Sequence, residues 1–96
     1  MRIAAILLAL AALPAGAQDA ATRSLASSCA ACHGTDGRSA TKEVPSLAGL
    51  PRDHIASQMR SFKDGSRPAT VMHQIAKGYT DAQIDALASY FAGVRK

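Results

Sequence analysis

The sequence predicts an all-α domain of three to four helices closed around one covalently attached prosthetic group, and three observations carry that expectation. Apolar residues recur at helical spacing in several segments, while no segment alternates apolar and polar residues well enough to make a strand. The chain has 96 residues with no Trp, two Phe and two Tyr, which is little material for a hydrophobic core. Finally, Cys29-Ala30-Ala31-Cys32-His33 places two thiols and an imidazole next to one another.

That motif reads as a c-type haem attachment site. If it continues the helix before it, Cys29, Cys32 and His33 stand at i, i+3 and i+4 and share one face. The two sulfurs then form thioethers with the haem vinyl groups, and His33 reaches the iron as proximal ligand. Other chemistries explain fewer of these residues. A zinc site needs four spaced ligands, and His54 or His73 would have to complete a distorted set. A thioredoxin-like pair belongs in alternating strands and helices, which this chain lacks. A Cys29–Cys32 disulfide would close too small a loop to stabilise much and would leave His33 unexplained. Haem c, one per chain, also supplies the large apolar body that the composition lacks, so the apoprotein is expected to fold poorly.

Residues 1–17 read as a signal peptide to be removed, leaving residues 18–96 as a monohaem domain. Arg2 precedes an unbroken apolar run from Ile3 to Leu13, then Pro14-Ala15-Gly16-Ala17 breaks the run and ends in an Ala-x-Ala cleavage signal. The run is too short to span a bilayer, so a periplasmic protein with no stable membrane insertion is expected. Losing Arg2 leaves ten basic against seven acidic residues. That excess is too small and too scattered for nucleic-acid binding, although local basic patches could steer an acidic protein partner.

Asp19 or Thr22 caps the expected first helix, in which Leu25, Cys29 and Cys32 form a stripe with Ala26 beside it. Gly34, Gly37, Pro45 and Gly49 then mark a long irregular loop to Leu50, which wraps the His33 side of the haem. Pro51 suits the first position of the second helix, Asp53 its first turn, Arg60 and Lys63 its end, and Gly65 its stop. Ile55, Ala56, Met59 and Phe62 form its inward face. After the Gly65–Pro68 turn, a short helical stretch from Thr70 to Lys77 sets Met72, Ile75 and Ala76 on one face. Thr80 and Gln83 form a capping box for the last helix, stapled by Tyr79 and Ile84, with Ile84, Leu87, Ala88 and Phe91 as its buried stripe.

The second axial ligand decides between electron transfer and ligand binding. Met72, Met59, His54 and His73 are the candidates. Met59 lies mid-helix in an apolar stripe, where methionine usually packs. Met72 follows a Pro-containing turn and lies between loops, so the chain there can be shaped around the iron, and it is preferred.

The chain from about Ala21 resembles the small class I cytochromes c: CxxCH near the start, a Pro-containing loop, a methionine segment and a terminal helix with aromatics. Cys29-Ala-Ala-Cys-His-Gly-Thr-Asp-Gly37, Pro45-Ser-Leu-Ala-Gly49, Gln58 to Arg67 and Ala69 to Tyr79 are similar to the cytochrome c4 and c553 group. Within that group they are most similar to the haem subunits of flavocytochrome c sulfide dehydrogenases. The resemblance implies a class I cytochrome c fold with Met72 as distal ligand. It also implies that the Pro45 carbonyl accepts a hydrogen bond from the other nitrogen of His33, and that the first and last helices cross through Ala26 and Tyr90 or Phe91. Arg38 and Arg67 are candidates to pair with a haem propionate. The expected function is transfer of single electrons between redox proteins, with a flavoprotein sulfide dehydrogenase subunit as partner and no catalysis of its own. The competing function is a haem-based ligand sensor or peroxidase-like enzyme with a labile sixth ligand.

Overall fold

A computed structural model describes residues 15–96, so most of the signal-peptide segment lies outside the described residues. The described residues hold helices and no strand. Helix α1 spans Ala15–Ser27, α2 Ala30–His33, α3 Arg52–Asp64, α4 Met72–Ala76 and α5 Asp81–Ala92, with a short 3₁₀ turn at Thr35–Gly37. Counting α1 and α2 as one interrupted helix gives the upper end of the expected three to four.

The first helix starts earlier than expected and is interrupted before it ends, as expected, at Gly34. α1 runs through Asp19 and Thr22 instead of starting at either, because the alanines on both sides favour helix and nothing after Gly16 breaks it. Its path across Ala17 and Gln18 is continuous helix. The helix is interrupted at Ser28 and Cys29, where the Cys29 N–H bonds the Ala26 carbonyl in a tightened turn. Serine hydroxyls bring this about: Ser27 Oγ donates to the Ser24 carbonyl at 2.6 Å and Ser28 Oγ to the Leu25 carbonyl at 2.9 Å. Cys29 itself is helical, and the His33 N–H reaches the Cys29 carbonyl at 2.9 Å, so the motif occupies a single α turn.

α3 forms one residue later than expected. Pro51 is the N-cap, with an extended ψ of 136°, and its carbonyl accepts the first helical bond from the Ile55 N–H. Ile55, Ala56 and Met59 are buried and Phe62 is half buried, matching the expected face. In α4 Ala76 is buried, Met72 half buried and Ile75 43% exposed, with α3 as its main helical neighbour.

α5 organises the rest. Its capping box is complete, with Thr80 Oγ1 accepting from the Gln83 N–H at 3.1 Å and Gln83 Oε1 accepting from the Thr80 N–H at 2.9 Å. Ile84, Leu87, Ala88 and Phe91 are all buried, and α5 packs against α3 on one side and α1 on the other. Burying a side chain the size of Phe91 or Ile84 contributes about 1.5–3 kcal/mol. Ion pairs rim the α3–α5 seam: Arg60 with Asp85 at 2.6 Å, Arg52 with Asp85 at 4.0 Å, and Lys63 with Asp81 at 3.7 Å. These groups are largely solvated, so their contribution is small.

The loop from Gly34 to Leu50 is irregular, as expected, yet firmly tied. The Gly37 carbonyl accepts from the Leu47 N–H at 2.7 Å and the Ala48 N–H at 3.1 Å, closing the loop on itself. The Phe91 carbonyl accepts from the Gly49 N–H at 2.8 Å. Gly37 is buried with φ 77°, and a Cβ there would lie 2.8 Å from the Phe91 ring and 2.9 Å from Leu47 Cβ.

Two substitutions test this account. Thr80→Ala removes half of the capping box and is expected to cost about 1 kcal/mol, lowering the thermal midpoint of the haem-loaded protein by about 4–8 °C. Gly37→Ala adds both strain at positive φ and overpacking against Phe91, and about 2–3 kcal/mol should be lost in denaturant unfolding; an unchanged midpoint would show that the loop is free of α5.

Candidate haem site

Cys29 and Cys32 are free thiols in the turn that begins at the α1–α2 joint, Cys29 half buried and Cys32 exposed. Burial pushes the Cys29 thiol above its ordinary pKa, and the Ser28 hydroxyl pulls it part of the way back. His33 ends the same turn. Gly34 follows with φ 84°, and a Cβ there would overlap the Arg38 carbonyl, so glycine is what lets the loop fold back directly after the histidine.

The loop returns Pro45 to His33. Nδ1 of His33 lies 2.7 Å from the Pro45 carbonyl oxygen. A carbonyl can only accept, so Nδ1 carries the hydrogen and Nε2 keeps its lone pair for a metal. Ser46, next along, accepts a hydrogen bond on its hydroxyl oxygen from the Ser39 N–H at 3.0 Å, holding the two arms of the loop together.

The four candidates for the second axial position occupy different environments. Met72 opens α4, half buried against the core. Met59 is a core residue, 9% exposed, packed in the cluster of Ile55, Ala56 and Ile84. His54 is exposed in the first turn of α3. His73 Nδ1 is buried and has no hydrogen-bond partner among the described residues.

Two arginines expected near the haem have other partners. Arg38 donates through Nε to the Arg95 carbonyl at 2.9 Å and pairs with Asp36 at 3.7 Å. Arg67 stacks its guanidinium over the Phe62 ring, 4.8 Å from the centroid.

Two tertiary hydrogen bonds had no signal in the sequence. The hydroxyls of Ser28 and Tyr79 are 2.9 Å apart, joining the start of the motif turn to the segment that follows α4. Tyr90 Oη donates to Asp36 Oδ1 at 2.9 Å, joining α5 to the 3₁₀ turn after His33. That hydrogen bond, with some desolvation and the nearby carboxylate charge, raises the Tyr90 hydroxyl above its ordinary pKa.

The residues present suit a haem. Two free thiols flank one turn of helix, and the imidazole beside them is held with one ring nitrogen available. α2 packs on α1 and the 3₁₀ turn whereas α4 packs on α3, so the two segments have separate supports and no extensive packing on each other. Val71 and Ile75, the exposed large apolar residues among those described, lie on either side of Met72 at 52% and 43% exposure. Leu25, Leu47, Leu50, Phe62 and Tyr79 are only partly buried against the core. A flat apolar group would cover these five partly buried side chains. No three His, Cys, Asp or Glu side chains converge as a direct metal site among the described residues, and no helix there is long and apolar enough to cross a membrane.

Comparison with known proteins agrees with this chemistry. The family model described as Cytochrome c matches residues 17–94. The chain is 46% identical over 72 residues to the cytochrome subunit of sulfide dehydrogenase from Chlorobaculum tepidum, covering 75% of this chain and 64% of that protein. It is 44% identical over 71 residues to the thiosulfate dehydrogenase electron acceptor of Thiomonas intermedia, covering 73% of this chain and 33% of that one. The solved cytochrome c4 of Acidithiobacillus ferrooxidans superimposes with a TM-score of 0.66 at 39% identity, over 69% of this chain and 38% of that one. The chain thus spans less than two thirds of each of these relatives. With a helical fold shared with cytochrome c4 and a CxxCH turn at its centre, the chain belongs to the cytochrome c family, electron carriers with covalently bound haem c.

Proposed function

We propose that Cys29 and Cys32 bind the haem through thioethers, that His33 and Met72 are its axial ligands, and that the protein is a periplasmic carrier of single electrons between redox proteins. The observation that carries this reading is the His33–Pro45 hydrogen bond of 2.7 Å, beside two free thiols. Bound haem supplies an iron that takes and releases one electron, at a potential that His-Met ligation raises relative to bis-histidine. The chain's task is then to hold both ligands fixed and to keep the metal from open coordination.

Met72 suits the second axial position better than Met59 does. It starts a short helix between two turns, only half buried, whereas Met59 would have to leave a packed core. Arg38 and Arg67 are the weaker part of the reading, since the first is engaged by Asp36 and Arg95 and the second by Phe62. Either could reach a propionate only by giving up those partners.

The partner reading rests on similarity and on surface. The relative from Chlorobaculum tepidum is named as a sulfide dehydrogenase subunit. We therefore propose that this chain accepts electrons from a flavoprotein that oxidises sulfide. The stretch from Gly65 to Thr80 carries Arg67 and Lys77 and no acidic residue, with Val71 and Ile75 exposed between them. An apolar patch with a basic rim suits a protein partner with an acidic rim. The Thiomonas intermedia relative supports a second donor, one that oxidises thiosulfate.

Met72→Ala is expected to abolish the weak long-wavelength absorption of methionine-ligated ferric haem and to lower the potential. Met59→Ala should keep that band and instead cost about 2–5 kcal/mol of stability. The reverse pattern would move the ligand to Met59. Slow or absent carbon monoxide binding by the native ferrous protein is expected of a carrier, and rapid binding would favour the sensor or peroxidase function. Purification of the native cytochrome should bring a flavoprotein with it; a stable complex with a thiosulfate-oxidising protein instead would replace the sulfide reading and leave the carrier role intact.

A further inference from the structure

The loop that brings Pro45 to His33 is held by α5 at both ends. At its end, the Gly49 N–H donates to the Phe91 carbonyl at 2.8 Å. At its start, Tyr90 Oη donates to Asp36 Oδ1 at 2.9 Å. Adjacent residues of one helix therefore grip segments thirteen residues apart, and the Phe91 ring abuts Gly37 between them. The two grips differ in kind. A main-chain bond like that of Phe91 survives any side-chain change, but the Tyr90 bond depends on a single hydroxyl.

Asp36 is the one non-glycine residue with positive φ among those described, at 54°. Aspartate tolerates that conformation better than most residues, yet it still needs to be held there. Its two carboxylate oxygens have separate holders. Oδ1 takes the Tyr90 hydroxyl, and Oδ2 faces Arg38, which is itself fixed by donating to the Arg95 carbonyl just past α5. The next residue, Gly37, accepts from both Leu47 and Ala48 through its carbonyl. Pro45 precedes Leu47 by two residues, so the position of its carbonyl follows the position of the 3₁₀ turn.

We propose that Tyr90 and Asp36 are positioning residues for His33, setting the Nδ1–H to Pro45 bond and through it the electron donation of the ring. The proposal rests on the reading of His33 as an axial ligand. A firm hydrogen bond from Nδ1–H makes the imidazole a more basic ligand and favours the oxidised iron. Loss of the Tyr90 hydroxyl lets the turn shift, weakens that bond and raises the reduction potential. Tyr90 reaches this outcome without touching His33.

The test compares three variants of the haem-loaded full chain. Tyr90→Phe keeps the ring and removes the hydroxyl. Asp36→Asn keeps an acceptor oxygen and a residue tolerant of positive φ. Thr80→Ala destabilises the other end of α5 and leaves the loop grips alone. Hydrogen exchange of the His33 Nδ1–H, followed by NMR in the reduced protein, should be about fivefold faster in Tyr90→Phe, the scale of one neutral hydrogen bond. Its potential should rise with the long-wavelength band retained. Asp36→Asn keeps the acceptor for Tyr90 but turns an amide NH2 toward Arg38, so it should shift both readouts in the same direction as Tyr90→Phe and by less, and Thr80→Ala should leave both unchanged. Equal exchange and potential in Tyr90→Phe and parent would overturn the proposal, as would an equal change in Thr80→Ala. His33 ring protons without the large porphyrin ring-current shift would instead remove the ligand assignment, and the proposal with it.

Discussion

Among the described residues, five of the ten buried apolar side chains are alanines, and a core built on alanine brings helix backbones together without filling much space. Ala26, Ala56, Ala76 and Ala88 are each 5% exposed or less, on four different helices. They let α5 lie close against α1 and α3. The larger apolar residues, Leu25, Leu47, Leu50, Phe62 and Tyr79, stay only partly buried around that thin core. A chain of this length gains stability from close contact alone only in part. The prosthetic group of the family supplies the missing apolar body, and covalent attachment keeps it in place.

The ring of His33, the proposed axial ligand, is oriented by the main chain. That ring has to be held if one nitrogen is to stay available to a metal. A carbonyl delivered by the loop holds it, at 2.7 Å, and the loop in turn hangs on α5 through Phe91 and Tyr90. A main-chain acceptor has no rotamers, so its position is as good as the fold that carries it. With His33 and Met72 as the proposed ligands, such an arrangement would suit electron transfer, because ligands that stay put in both oxidation states keep reorganisation small.

Local chemistry made α5 and α3 legible in the sequence. Thr80 and Gln83 lie three residues apart and need only each other, and the stripe of Ile84, Leu87, Ala88 and Phe91 is one helix face. The α3 face was equally plain, with its start displaced by one because Pro51 is still extended. The CxxCH turn was legible as a motif, but the interruption before it was not, since Ser27 and Ser28 hydroxyls compete for carbonyls that a regular helix would use. Arg38 and the pairs Ser28–Tyr79 and Tyr90–Asp36 depend on residues more than fifty positions apart. No periodicity reports such meetings. The exposure of Ile75 was likewise not legible: its helical spacing with Met72 and Ala76 is real, but spacing does not say how far a face is covered.

Charge is divided between two regions, and the division bears on how partners approach. Asp53, Asp81 and Asp85 are matched by Arg52, Arg60 and Lys63 along α3 and α5, and Asp36 by Arg38. Those pairs cancel within a few ångström, which is inside the screening length of about 8–10 Å at ordinary salt. Over Gly65 to Thr80 the only formal charges are Arg67 and Lys77, and both are basic. Asp64, whose Oδ1 accepts from the Ser66 N–H, and Asp81 bracket that stretch and offset it at its ends, so the basic field is felt between Arg67 and Lys77, around the exposed Val71 and Ile75 and the proposed ligand Met72. A partner drawn by that field would meet an apolar contact small enough to release again, since weak redox encounters bury less than about 1,200 Å². Steering and release would then come from one short stretch of chain, while the seam of α3 and α5, its charges already paired, has no comparable pull on either donor or acceptor.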